Sequence, residues 1–160
     1  MTRYDTSKAG KPAAPIVSLE VDADWEARDV PDADLALVLR TATGHFAPNL
    51  TVFTDRRPDG FGPRDLLDAL DHNPDRPDLV AEETFTTSIV GIPFAARVVS
   101  FTDPAAGTLA QLHLATAVKA DADSEPGVGL VYIVGTVAGA RVDQDLPLFK
   151  GVLDTLLISA

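Results

Sequence analysis

The apolar positions along this chain recur with a period of two over most of its length and with a helical period in only two places. In IVSLEV, residues 16–21, Val17, Leu19 and Val21 alternate with Ile16, Ser18 and Glu20, which predicts a strand. Residues 22–32 are polar and carry Pro31, with Trp25 as their one large apolar anchor. LALVLRT, residues 35–41, reads as a second strand, and the turn ATGH leads into a third, LTVF, entered through Pro48 and Asn49. The loop TDRRPDGFGPRD then changes the pattern. Pro63 suits the first turn of a helix, and PRDLLDALDH sets Leu66, Leu67 and Leu70 against Asp65, Asp68 and Asp71. Asn73-Pro74 should end that helix.

The second half is extended. Residues 79–90, 94–103, 108–120 and 129–139 read as four strands, with turns at Gly91-Ile92-Pro93, at 104–107 and at the acidic tip 120–127. The last strand, GLVYIVGTVAG, is apolar on both faces and should be covered on both sides. QDLPLFKGVLDTLLIS closes the chain with Leu146, Phe149, Val152, Leu153, Leu156 and Leu157 at helical spacing. The predicted order is β-β-β-α-β-β-β-β-α. Short turns make the last four strands an antiparallel meander, and two amphipathic helices must bury their leucines on it. The expectation is one α+β domain over residues 16–160: a single antiparallel sheet flanked by helices, preceded by a flexible arm, residues 1–15, rich in Ser, Gly, Pro and Ala.

Composition narrows the partners more than it names them. The 160 residues carry 24 acids against 13 bases, a net charge of −11. Such a surface repels phosphate backbones and anionic membrane surfaces, which argues against a nucleic-acid partner. No apolar run is long enough to insert in a bilayer. The absence of cysteine excludes thiolate catalysis and zinc sites built on Cys. The N-terminus shows neither the apolar core of a signal peptide nor a lipidated cysteine, so the chain as written reads as cytoplasmic; a cell-envelope location is the alternative if a leader has been removed.

Candidate chemistry is sparse. There is no Walker loop, GxGxxG, GxSxG or HExxH. His45, at the mouth of the third strand, lacks a nearby nucleophile or orienting partner, so it and Asn49 read first as a well-made strand entrance, the asparagine bonding local backbone. Asn49-Leu50-Thr51 also fits the glycosylation sequon, a short motif. His113 shares a strand face with Gln111, Ala115 and Ala117; the solvent side of an antiparallel sheet is the expectation, a shallow groove the alternative. Asp71, Asn73, Asp75 and Glu82 match EF-hand ligand positions. Arg76 replaces the required glycine and a strand follows in place of the second helix, so no metal is expected. Arg56, Arg57 and Arg64 form the one compact basic cluster, suited to a carboxylate or phosphate but equally to pairing with Asp55, Asp59 and Asp65. Aspartates 22, 24, 29, 32 and 34 surround Trp25, which would anchor a partner if exposed and closes the core if not.

The segments DWEARDVPDADLALVLR, FAPNLTVFTDR, DLLDAL, GIPFAARVVSF, LAQLHLATAV and GLVYIVGTV, with the closing leucine-rich helix, resemble the LpqN-type lipoproteins of actinobacteria. These belong to the wider PsbP-like fold shared with the nuclear-transport factor Mog. The resemblance covers most of residues 16–158. It implies an antiparallel sheet flanked by helices, no catalytic residues and no cofactor, and a role in binding a partner protein or handling a cell-envelope component. The expected function is therefore a non-catalytic binding or adaptor domain. The alternatives are a carrier of a lipid or small apolar ligand and a small enzyme using His45 or His113.

Overall fold

The computed structural model describes residues 1–11, 13–40, 44–72, 75–119 and 126–159. In chain order these form β1 (Thr2–Asp5), β2 (Ile16–Val21), β3 (Trp25–Ala27), β4 (Leu35–Leu39), β5 (Asn49–Arg57), α1 (Pro63–Asp68), β6 (Val80–Ala81), β7 (Phe85–Ile89), β8 (Ile92–Asp103), β9 (Gly107–Lys119), β10 (Val128–Ala138), α2 (Val142–Leu153) and β11 (Leu157–Ser159). A 3₁₀ turn, Ala69–His72, extends α1. Every strand pair among the described residues is antiparallel. The architecture is α+β, as the period-two pattern requires.

The strands form two sheets. The larger runs β3-β4-β5-β10-β9-β8-β6, with β7 also paired to β8, and the smaller runs β1-β2-β11. One face of the large sheet, here the inner face, presents Leu50 and Val52 from β5, Val131, Ile133 and Val137 from β10, Leu114 from β9 and Phe94 from β8. Against it pack Val17, Leu19 and Val21 of β2 and Phe149, Val152, Leu153 and Leu156 of α2 and its exit, all of them buried. The 3-4 spacing of Phe149, Val152 and Leu153 puts them on one side of the helix, and Leu156 follows just beyond its end. Asp143 and Asp145 lie in its first turn, where carboxylates meet the positive end of the helix dipole.

Several expectations change. Residues 1–15, read as an arm, contain β1, paired along β2 from Thr2↔Val21 to Asp5↔Ser18. Thr6 is buried and exchanges hydrogen bonds with Val17, its amide donating to Val17 O at 3.0 Å and its Oγ1 accepting from Val17 N at 3.0 Å. The sheet is not single, because the strand at 16–21 leaves the large sheet to pair with the two chain ends. The closing helix stops at Leu153. Thr155 Oγ1 accepts from Glu20 N at 2.8 Å and turns the chain into β11, so Leu157, expected in the core, is 59% exposed. The strand expected at 79–90 is two short ones, β6 and β7. The polar stretch 22–32 contains β3. The turn at Asn73-Pro74 and most of the 120–127 tip lie outside the described residues.

Candidate functional cleft

The outer face of the large sheet is covered at one end only. A helix of six residues spans about 9 Å, against about 43 Å for a strand of thirteen, so α1 cannot shield the sheet alone. Leu67 of α1 is fully buried against Ala115 and Leu130, with Leu66, Leu70, Phe61 and Tyr132 around it. Arg97 fastens this cap. Its guanidinium donates to Leu67 O at 2.8 Å, Asp68 O at 3.3 Å, Glu82 O at 2.7 Å and Asp71 Oδ1 at 2.7 Å. Beyond the cap an open cleft of about 660 Å³ remains. Phe46, Phe53, Leu66, Phe101, Leu109 and Leu130 give it apolar walls. Its volume and apolar lining fall in the range of small-molecule sites.

The floor is a row of polar side chains from two neighbouring strands. Alternation puts Gln111 and His113 of β9 and Tyr132 and Thr136 of β10 on the outer face. Gln111 Nε2 donates to Thr136 Oγ1 at 3.2 Å, which turns its carbonyl oxygen toward His113 Nε2 at 2.9 Å. That nitrogen therefore carries the proton, and His113 Nδ1 accepts from the Tyr132 hydroxyl. The His113 and Tyr132 rings lie 5.7 Å apart, and Phe53 stacks at a tilt against Tyr132 at 5.8 Å. Burial, and then the nearby Arg97 charge, hold the His113 pKa down at about 4, so the ring is neutral at physiological pH. Burial also raises the Tyr132 pKa well above its ordinary value. The row is thus an uncharged chain in which both ring nitrogens of the histidine are already engaged.

His113 is not on the solvent side of the sheet, as its alternation with Ala115 and Ala117 suggests; it is 6% exposed and part of the cleft floor. A sheet face covered at one end by a helix is neither core nor solvent, and strand periodicity cannot register that condition. Asn49 lines the cleft, its Nδ2 donating to Ala47 O at 3.3 Å. His45 is exposed and outside the cleft lining. Trp25 is 8% exposed, 6.4 Å from Phe149, and is thereby removed as an exposed anchor. The three arginines do not form one cluster. Arg57 lines the cleft, pairs with Asp55 at 3.3 Å and lies over Phe61 at 5.6 Å. Arg56, one residue along β5, points to the opposite face beside Gly127. Arg64 donates from exposed α1 to Thr84 O at 2.8 Å. The sequence groups Gln111 with His113, with a shallow groove as the alternative, whereas Tyr132 and Thr136 escape it; their available signal is polar residues at alternate positions of an otherwise apolar strand.

No helix among the described residues is long and apolar enough to cross a membrane. No family model and no curated protein sequence matches the chain. Its architecture does match solved structures. It is similar to LpqN of Mycobacterium tuberculosis, whose crystal structure is described as that of a protein involved in cell envelope biogenesis, with 11% identity and a TM-score of 0.71 over 99% of this chain and 91% of that one. It is also similar to the solution structure of cyanobacterial PsbP (CyanoP) from Synechocystis sp. PCC 6803, with 16% identity and a TM-score of 0.58 over 98% and 91% of the two chains. Two sheets, a short outer helix and a helix on the inner face thus give this chain a PsbP-like fold.

Proposed function

We propose that this chain is a non-catalytic binding domain that works through the outer cleft, taking a small amphipathic molecule. The observation that carries this reading is the row Tyr132–His113–Gln111–Thr136. Both nitrogens of its neutral histidine are engaged within the row, while the Thr136 hydroxyl can still donate and the Tyr132 oxygen can still accept. A general base needs an accepting nitrogen within reach of the substrate. A row of neutral dipoles between aromatic walls is suited instead to orienting a bound molecule. The likeness to LpqN supports a component of the cell envelope as the occupant, and with it an envelope location in place of a cytoplasmic one. Cell fractionation tests the location.

Titration of amide resonances with octan-1-ol tests the cleft. Shifts concentrated at residues 51–53, 111–113 and 132–136, and abolished by Thr51→Trp in a folded variant, are expected. Shifts scattered over the surface, or unaffected by the blocking tryptophan, would refute it. An adaptor for a partner protein is the second reading, favoured by the β6–β7 edge, where Val80 is 65% and Phe85 45% exposed. Phe85→Lys would abolish such a contact and leave the cleft shifts intact.

A further inference from the structure

The charge lining the cleft is opposite in sign to that of the molecule. Lys11, Arg57 and Arg76 line it against the single carboxylate of Asp55, in a chain of net charge −11. Lys11 Nζ is held by Asp34 at 3.0 Å and donates to Thr54 O at 2.9 Å. Arg76 lies 4.3 Å over the Phe101 ring and 3.9 Å from Asp103, too far for a good hydrogen bond. Both of those acids stand outside the cleft lining. The cleft therefore presents three cationic heads, two of them seated on aromatic rings, Arg57 on Phe61 and Arg76 on Phe101.

Arg57 carries the second, independent observation. Its side chain is 42% exposed, and its ion pair with Asp55 leaves part of the guanidinium open to the cleft it lines. Asp55 meets only Nη2, at 3.3 Å. A guanidinium presents its donors as a fork, and a carboxylate or phosphate accepts from two of them at once.

We infer that the cleft selects an amphiphile bearing one anionic oxygen group, with the apolar body against Phe53, Phe101 and Leu109 and the anion on Arg57. The inference rests on the cleft being the binding site and adds the charge of its ligand. The negative exterior repels anions at long range, so the local reversal of sign, not overall attraction, makes the selection. Asp55 opposes it and sets its strength.

The test is calorimetric titration with octanoate, octan-1-ol and acetate at constant ionic strength. Octanoate should bind about ten-fold more tightly than octan-1-ol, the worth of one charge-assisted bidentate contact at a partly exposed site. Acetate should bind far more weakly than either. Arg57→Gln should bring the octanoate-to-octanol ratio to about one, and Asp55→Asn should raise the ratio. Matching amide spectra establish that both variants are folded. Equal binding of octanoate and octanol by the wild type, or a ratio unmoved by Arg57→Gln, overturns the anionic selectivity and leaves the cleft as an apolar site. Acetate binding as tightly as octanoate overturns the amphiphile and leaves a bare anion site. If none of the three binds, the cleft reading falls and this inference with it.

Discussion

The Phe149 ring of α2 lies directly on the backbone of Gly135 in β10: a methyl group placed at that glycine would meet Phe149 Cε2 at 2.5 Å and Leu50 Cδ2 at 3.2 Å. Both neighbours are buried at 1% exposure, so neither can swing clear. Gly135→Ala should destabilise the fold by about 1–3 kcal/mol, the usual cost of overpacking a close-packed core. Urea denaturation measures it. The double variant with Phe149→Leu should lose less than the sum of the two single changes, because both act on one contact. Simple additivity would mean that the helix does not sit where it is placed here.

Arg97 determines whether α1 stays docked. Its side chain is 8% exposed and satisfies three carbonyls and the Asp71 carboxylate. Arg97→Met should cost about 3 kcal/mol or more, since buried acceptors lose their charged donor. Arg97→Lys should recover only part of that loss, because an ammonium lacks the planar fork. Hydrogen exchange should show the amides of residues 64–72 losing protection before those of the sheet. A uniform loss across the chain would show that α1 is not a separate cap.

His113 should leave a signature in the pH dependence of stability. The folded state keeps the ring neutral down to about 4, whereas the unfolded chain protonates it near 6.5. Between those values the unfolded state binds more protons, so stability falls as the pH drops through that window. The full effect is about 3 kcal/mol on the ordinary conversion of pKa to free energy. Hydrogen bonds from Ser7 to Asp5, and from the Ala106 and Ala105 amides to Asp103, lower those two carboxylates below 3.8, so their contribution is lost only at still lower pH. His113→Gln should flatten the curve between 4 and 6.5. A curve of unchanged slope would place the histidine in contact with water.

Val90 adopts a left-handed conformation, with φ of 46°, beside Gly91 at 81°. Ile89 and Ile92 pair directly across these two residues, making a two-residue hairpin turn with positive φ at both positions. A β-branched residue is costly there, so Val90→Asn should raise stability by about 1 kcal/mol. Calorimetry would register it as a higher Tm. No gain would indicate a different turn.

The one-dimensional pattern determined the antiparallel meander, the inward face of β2 and the two helices. Strand alternation and helical spacing are local properties that follow directly from backbone geometry. The α+β class followed from the order of those elements, and the PsbP-like resemblance rested on segments such as FAPN and GIPFAAR as well as on that order. What the pattern could not contain was any consequence of long-range pairing. Residues 2–5 and 157–159 look like chain ends, yet each finds a partner in β2, and that removes β2 from the large sheet. The hairpin between β7 and β8 turns at Val90-Gly91, one position earlier than Gly and Pro alone suggest, because the register of Ile89 with Ile92 outweighs the cost of a left-handed valine. Trp25 and His113 show the same division. Each sits in a stretch whose local pattern allows water on one side, and each packs against an aromatic ring of another element, the tryptophan against Phe149 and the histidine against Tyr132. The cleft itself exists because α1 is shorter than the face it covers, and no strand or helix in isolation encodes that difference in length.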